Sequence, residues 1–231
     1  MIEEPPLLTI KRPARRPSPA QIAAFQGMPS GFVADAMYGT GSIARVTPLG
    51  AGRDIRCVAA GPALTVDCGP GGILALLASF AFIQPGDIVV SAYAGHQGAA
   101  QAGDRAMGML KNNGAAGFVT DGPMRDYAGL VEVGLPVWCS GLNPASPVST
   151  TPGRVGLPIQ IGGREVETGD MIVADRDGVV VAPFEQLDSI IAQLQVVRQL
   201  EAELDAKVAE GLKSPPAIEE LLRSDKVRYV D

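Results

Sequence analysis

Between residues 63 and 139 the chain alternates short apolar runs with helical stretches, and this alternation points to a mixed α/β fold. Ala63-Leu64-Thr65-Val66-Asp67 has the pattern of a half-buried strand, at the end of a strand-like stretch, 43–67, punctuated by Gly50, Gly52 and Gly61. The apolar run Ile73 to Ile83 follows Gly-Pro-Gly-Gly and predicts a buried helix. Strands are expected at Ile88–Ser91, Ala116–Thr120 and Leu135–Cys139. Gly103 to Asn112 reads as a helix ended by Asn113-Gly114, and a short helix is expected near Tyr127. Upstream, Ser18-Pro19 opens one short helix and a second follows Ser30, with Val33, Ala36 and Met37.

Beyond Cys139 the character turns to β. Gly156–Ile161 and Arg164–Val166 flank Gly162-Gly163, a two-residue hairpin signal, and Met171–Ala174 and Val179–Ala182 flank a turn with Asp177-Gly178. Gly169-Asp170-Met171-Ile172-Val173 echoes Gly86-Asp87-Ile88-Val89-Val90, which reads as two similar turns into strands, not a repeat. From Phe184 to about Glu210 the pattern is helical, with Ile190, Leu194, Val197, Leu204 and Val208 on one stripe. Gly211 ends it, and Pro215-Pro216 precede a last short helix near Ala217–Leu222. No linker divides the chain. The expected organisation is an N-terminal arm (1–18), one domain including the long helix (19–211) and a C-terminal extension (212–231).

With 46% apolar and 19% charged residues, most of the 231-residue chain is expected to fold. Acids outnumber bases 25 to 19, so no nucleic-acid partner is expected. The Pro-rich arm carries a basic cluster, Lys11, Arg12, Arg15 and Arg16. It reads either as a nucleic-acid tail or, more simply, as a solvated arm packing on a neighbouring subunit. The N-terminus has no apolar signal-peptide core, and Ile73–Ile83 is too short to span a bilayer, so no membrane segment is expected. Cys57, Cys68 and Cys139 are odd in number and widely spaced, and read as reduced core thiols of a cytoplasmic protein.

His96 is the only histidine, so a multi-His metal site is excluded and any Ser-His-Asp or Cys-His catalysis must use it. As a loop residue it reads as an acid or base, or more simply as a surface polar group. No Gly-x-Ser-x-Gly elbow, Walker A lysine motif or dinucleotide fingerprint is present. Two pieces remain: Gly103-Asp104-Arg105-Ala106-Met107 and Asp121-Gly122-Pro123-Met124-Arg125-Asp126. The first is a helix N-terminus whose backbone N–H groups attract a carboxylate or phosphate. The second lies at the carboxyl end of a buried strand, where α/β sheets place their sites. Arg125 beside Asp126 can hold an anion and a hydrated cation, or can be a plain surface pair worth roughly 0–1 kcal/mol.

Asp104, twenty intervening residues and Arg125-Asp126 resemble the Asp-x20-Arg-Asp motif of the RraA-like family. That family includes class II 4-hydroxy-4-methyl-2-oxoglutarate/4-carboxy-4-hydroxy-2-oxoadipate aldolases and the RraA regulators of ribonuclease E. The resemblance spans roughly residues 30–211. It also rests on Asp35-Ala36, Pro85-Gly86-Asp87, Asn113 to Gly117, and Asp177-Gly178-Val179-Val180-Val181-Ala182-Pro183, with Arg228-Tyr229-Val230-Asp231 like the aldolase end. It implies a swivelling α/β/β domain with a C-terminal helical extension, assembled as a homotrimer or hexamer with sites between subunits.

The implied activity is cleavage of a 4-hydroxy-2-oxo acid to pyruvate, with oxaloacetate decarboxylation as a side activity. The alternative is a regulator acting by protein–protein contact. The resemblance gives Arg125 the 2-oxo acid and its enolate oxygen. It gives Asp126 a Mg²⁺ or Mn²⁺ ion held largely through water, and Asp104 one of those waters in a proton relay. Backbone N–H groups of Gly103, Asp104, Arg105, Ala106 and Met107 would hold the substrate carboxylate. An acidic residue from a neighbour's C-terminal helix joins the metal's water shell in the aldolases, and Glu201 is the candidate. It lies on the seam Ile190, Leu194, Val197, Glu201, Leu204, Val208, although a slight rotation to Val197, Leu200, Leu204, Val208 leaves it solvated. Arg105 and the loop Ala92–Ala102, with Tyr93, His96 and Gln97, depart from the family pattern. Arg105 reads as a charge for a second substrate carboxylate or as a solvated side chain. Lys111 reads as solvated, and no Schiff base is needed.

Overall fold

A computed structural model describes residues 6–230. The first five residues of the arm and Asp231 of the tail motif lie outside the described residues. The elements are β1 (Leu8–Ile10), α1 (Pro19–Phe25), α2 (Ser30–Ala36), β2 (Thr47–Pro48), β3 (Ala59–Asp67), α3 (Leu74–Ser79), β4 (Ile88–Ala92), α4 (Asp104–Asn112), β5 (Gly117–Thr120), α5 (Tyr127–Val133) and β6 (Val137–Cys139). They continue as β7 (Gly153–Val155), β8 (Ile159–Ile161), β9 (Arg164–Val166), β10 (Met171–Ala174), β11 (Val179–Ala182), α6 (Leu187–Ala209) and α7 (Pro216–Leu222).

β3, β4, β5 and β6 form the parallel centre of the sheet, as their alternation with α3, α4 and α5 requires. β3 serves three partners, β10, β4 and, at residues 66–67, β7. Residues 59–62 pair antiparallel with β10, which turns back into β11, and residues 63–67 pair parallel with β4. One strand therefore joins two β layers. The main core fills the space between the parallel strands and α3–α5, around Leu64, Val89, Phe118, Met107 and Trp138. A second core, with Phe25, Val33, Met171, Val173 and Ala182, lies where α1, α2 and α6 cover β10 and β11. The mixed α/β fold and the C-terminal helix follow the sequence expectation.

Ser18 caps α1 in a reciprocal capping box with Gln21, and Pro19 occupies the first turn. Several expectations need correction. In the stretch 43–67 only β2 and β3 are strands, because Gly50 and Ala51 turn left-handed within a 3-10 turn at Leu49–Gly52. The run Ile73–Ile83 yields only α3 and a 3-10 turn at Phe80–Phe82, half-buried, before the Gln84–Asp87 turn. The stripe of α6 splits: Leu187, Ile190, Leu194 and Val197 are buried, but Leu200, Leu204 and Val208 are 59%, 45% and 56% exposed. Neither rotation considered for Glu201 buries the second half of the helix against its own chain.

The arm is not simply solvated. β1 pairs with β7, and Arg15 and Arg16 bind groups of their own chain. Arg15 reaches Glu167 at 2.7 Å and the Thr168 carbonyl at 3.0 Å, and stacks on Phe184. Arg16 pairs with Asp87 and donates to the Pro85 carbonyl. The two echoed Gly-Asp turns have one construction. Asp87 and Asp170, 4% and 5% exposed, each accept the backbone N–H three residues earlier at 2.8 Å, from Gln84 and Glu167. Each also faces an arm arginine: Arg16 for Asp87 and Arg15, at 3.5 Å, for Asp170.

Candidate active site

The site begins with two backbone segments zipped side by side. Gln101 N–H donates to the Pro123 carbonyl at 2.8 Å, and Arg125 N–H to that of Ala102 at 3.1 Å. The buried Gln101 amide braces this pairing, donating to Ser91 Oγ and accepting from Thr120 Oγ1. The segment entering α4 therefore lies against the loop leaving β5. Gly103, which caps α4, faces Arg125 and Asp126 directly. A Cβ there would stand 3.1 Å from Arg125 Cγ and 3.2 Å from Asp126 Cγ, and would collide with the carboxylate oxygen. Asp126 adopts a left-handed backbone (φ 60°) just before α5, a conformation more accessible to Asp than to most residues.

Gly103, Asp104, Arg105, Ala106, Arg125 and Asp126 share one open cleft of about 440 Å³, walled on its apolar side by Ile73, Leu77 and Met109. Arg125 Nε is 3.2 Å from Asp126 Oδ2 but is buried without a well-aligned hydrogen bond. Asp104 Oδ1 accepts the Arg105 N–H at 2.7 Å. The Met107 N–H donates to the Gly103 carbonyl at 3.2 Å, and the Met107 side chain is fully buried. The anion-binding set expected from Gly103 to Met107 thus shrinks: Met107 and Arg105 N–H groups are taken, leaving those of Gly103, Asp104 and Ala106 without partners among the described residues.

Glu201 is not part of this cleft within the chain and is half-buried on α6. His96 packs edge-on against the Tyr93 ring, with centroids 5.4 Å apart, and does not line the cleft. Lys111 donates to the Val133 carbonyl at the far end of α4. Sequence reasoning missed Ser146, whose Oγ accepts Arg125 Nη1 at 2.5 Å, and Gly129 of α5, against which the Asp104 carboxylate packs. Asp121 opens the second motif, and the fold gives its carboxylate a structural task. That carboxylate accepts the N–H groups of Tyr93 at 2.6 Å and Gly95 at 2.8 Å, and burial pushes it above the ordinary carboxylate range against those bonds.

Among the described residues no three His, Cys, Asp or Glu side chains form a metal-binding group. One exposed carboxylate, Asp126, with Asp104 on the same cleft, suits a hydrated hard cation such as Mg²⁺, which keeps most of its waters. It does not suit a closed zinc site.

Fold and cleft together define an α/β domain that brings Asp104, Arg125 and Asp126 into one cleft at the carboxyl ends of its parallel strands. The chain belongs to the RraA-like (Aldolase/RraA) family, whose profile matches residues 32–181. It is 34% identical over 187 residues to a protein of Halalkalibacterium halodurans named "Putative 4-hydroxy-4-methyl-2-oxoglutarate aldolase", covering 80% of this chain and 86% of that one. Among solved structures, Streptomyces coelicolor RraAS2, described as an unusual member of the RNase ES inhibitor RraA protein family, superposes with a TM-score of 0.73 and 27% identity. The match covers 83% of this chain and all of RraAS2. An uncharacterized Pseudomonas syringae protein shares the fold with a TM-score of 0.74 and 20% identity, over 87% of this chain and 97% of its own.

Proposed function

We propose that the chain is a divalent-metal-dependent lyase that cleaves a 4-hydroxy-2-oxo acid, of the 4-hydroxy-4-methyl-2-oxoglutarate type, to pyruvate. The observation that carries this reading is the meeting of Asp104, Arg125 and Asp126 in one cleft at the N-terminus of α4. The aldolase name of the Halalkalibacterium relative supports it. Asp126 would hold the Mg²⁺ or Mn²⁺ ion through one carboxylate and water. When bound, that ion supplies Lewis-acid polarisation of the 2-oxo group.

The rest falls to the chain's own residues. The free N–H groups at the start of α4 hold the substrate carboxylate. The Asp104 carboxylate takes the C4 hydroxyl proton through a water that it orients. As C4 becomes a carbonyl, the C3–C4 bond breaks and its electron pair moves into the C2–C3 enolate. Arg125 donates to the oxygen where that negative charge develops. The proton returns to C3 and pyruvate leaves. Oxaloacetate decarboxylation gives the same enolate with CO₂ as the other product, which makes it the expected side activity.

The apolar stripe Leu200, Leu204 and Val208 beside half-buried Glu201 supports assembly into a homotrimer or hexamer, with a neighbour's Glu201 completing each site. No helix among the described residues is long and apolar enough to cross a membrane. Three buried free thiols support a reducing, cytoplasmic setting. A second reading, an RraA-type regulator that binds ribonuclease E, is favoured by the match along the whole of RraAS2.

The test is pyruvate release from 4-hydroxy-4-methyl-2-oxoglutarate and from oxaloacetate, with Mg²⁺, with EDTA, and with Asp126→Ala as the control for decarboxylation by metal alone. Activity lost in both controls supports the lyase. No activity above free metal, together with capture of ribonuclease E, favours the regulator.

A further inference from the structure

The loop between β6 and β7 has no part in the mechanism above, yet it touches the central arginine. Among the described residues the Arg125 guanidinium makes one hydrogen bond, from Nη1 to Ser146 Oγ at 2.5 Å. Its Nε is buried and unbonded, and Asp126 stands 3.2 Å away out of line. The direction of the planar fork is therefore set at one end by Ser146.

Ser146 is exposed, but the loop that carries it is stitched down on both sides. Met124 N–H donates to the Gly141 carbonyl and Asn143 N–H to that of Met124, both at 2.9 Å. Further along, the Val148 N–H reaches the Gly71 carbonyl at 2.7 Å. The loop Ala92–Ala102, the segment that departs from the family pattern, supplies the remaining support. Its Gln97 carbonyl accepts Asn143 Nδ2 at 2.7 Å, its Gln97 Oε1 accepts Ser140 Oγ at 3.0 Å, and its Ala100 N–H donates to Ala145 at 2.9 Å. Gln97 itself donates to the Asp121 carbonyl at 3.1 Å, which ties the assembly back to the end of β5.

We infer that Ser146 is a positioning residue that aims Arg125 at the developing enolate, and that the Gln97–Asn143 clamp fixes the loop that delivers it. This inference rests on the lyase reading. A hydrogen bond to a charged group held in the correct geometry is worth about tenfold in transition-state binding. An exposed serine contributes little to the fold, so its removal separates aiming from stability.

The experiment is a double-mutant cycle on the Mg²⁺-loaded protein with Ser146→Ala, Arg125→Ala and the pair. It is read as kcat/KM for pyruvate release and, independently of turnover, as calorimetric affinity for oxalate, a planar mimic of pyruvate enolate. Ser146→Ala is expected to lose about tenfold in both readouts with an unchanged melting temperature. Ser146→Thr, which keeps the hydroxyl, is expected to restore most of each. In the Arg125→Ala background the serine change is expected to cost nothing further. The inference is overturned if Ser146→Ala is silent while Arg125→Ala is not, or if the serine loss is the same in both backgrounds. If Arg125→Ala changes neither turnover nor oxalate affinity, the lyase reading fails and this inference with it.

Discussion

Asp104 and Gly129 face each other across the two helices that flank the cleft, and the glycine is what lets the aspartate lie there. A Cβ at position 129 would stand 2.8 Å from Asp104 Cβ and 2.9 Å from its Cγ, too close for either to remain in place. Gly129→Ala is therefore expected to displace the Asp104 carboxylate. The expected result is a loss of about tenfold or more in kcat with roughly 1–3 kcal/mol of destabilisation from overpacking. Steady-state kinetics alongside urea unfolding checks both, and a variant with lower stability but wild-type kcat removes Asp104 from the proton path.

Arg125 and Asp126 are adjacent in sequence but have separate tasks in the proposed reaction, so their variants should differ. Arg125→Ala is expected to lose about 10²–10³ in kcat, the size of one lost oxyanion donor, with metal affinity largely kept. Asp126→Ala is expected to abolish metal-dependent turnover and to weaken Mn²⁺ binding. Kinetics paired with Mn²⁺ titration by electron paramagnetic resonance separates the two. Wild-type activity in both variants would falsify the site.

Arg105 occupies the first turn of α4, the positive end of the helix, and has no acidic side-chain partner among the described residues. A cation there is unfavourable by about 0.3–1 kcal/mol before any ligand binds. Arg105→Ala is expected to leave stability unchanged or slightly raised. It is also expected to raise KM for dicarboxylic substrates more than for a 2-oxo acid with one carboxylate. Comparing KM for the two substrate types checks this, and equal changes mean that Arg105 is a solvated side chain.

Burial raises the Asp121 carboxyl, so the folded chain keeps that proton to higher pH than the unfolded chain does. In that window the native state binds more protons. Its stability must therefore fall as pH rises from about 3.9 through the folded value, and level off above it. Asp121→Asn is expected to remove this contribution. Urea unfolding between about pH 4 and 6 is expected to give a less negative dependence of stability on pH for the variant. Identical slopes show that Asp121 titrates alike in both states.

Arg16→Ala leaves the buried Asp87 carboxylate with its Gln84 N–H bond but without its cation. The expected cost is about 1–3 kcal/mol, read by chemical denaturation. Because the arm lies away from the cleft, kcat is expected to stay at the wild-type value. A loss of activity without loss of stability contradicts that separation.

The parts of the site legible in the sequence were those marked by glycine and by a strand end. Gly103 before α4 and Asp121-Gly122 after β5 announce a helix N-terminus and a turn, and the hydrogen bonds between residues 101–102 and 123–125 join them. Ser146 was not legible. It sits in an irregular, Pro- and Ser-rich loop, and its meaning lies in a contact with a residue 21 positions away. β1 and β7 were missed because three residues carry no period, and only their pairing defines them. For α6 the periodicity gave the helix correctly. It could not tell where the helix leaves the body, because an apolar stripe looks the same whether its own chain or another covers it.

The strap formed by the N-terminal arm also constrains the order of biosynthesis. Residues 8–10 pair with 153–155, and Arg15 binds the Thr168 carbonyl 153 positions downstream. A growing chain emits these residues long before their partners exist. The parallel core from β3 to β6 can assemble before β1 has its partner β7, and the Arg15 contacts close only once residues 167–170 have emerged. Arg15, made early, is thus among the last residues to find its place, whereas the partners of Arg16, Pro85 and Asp87, emerge with β4.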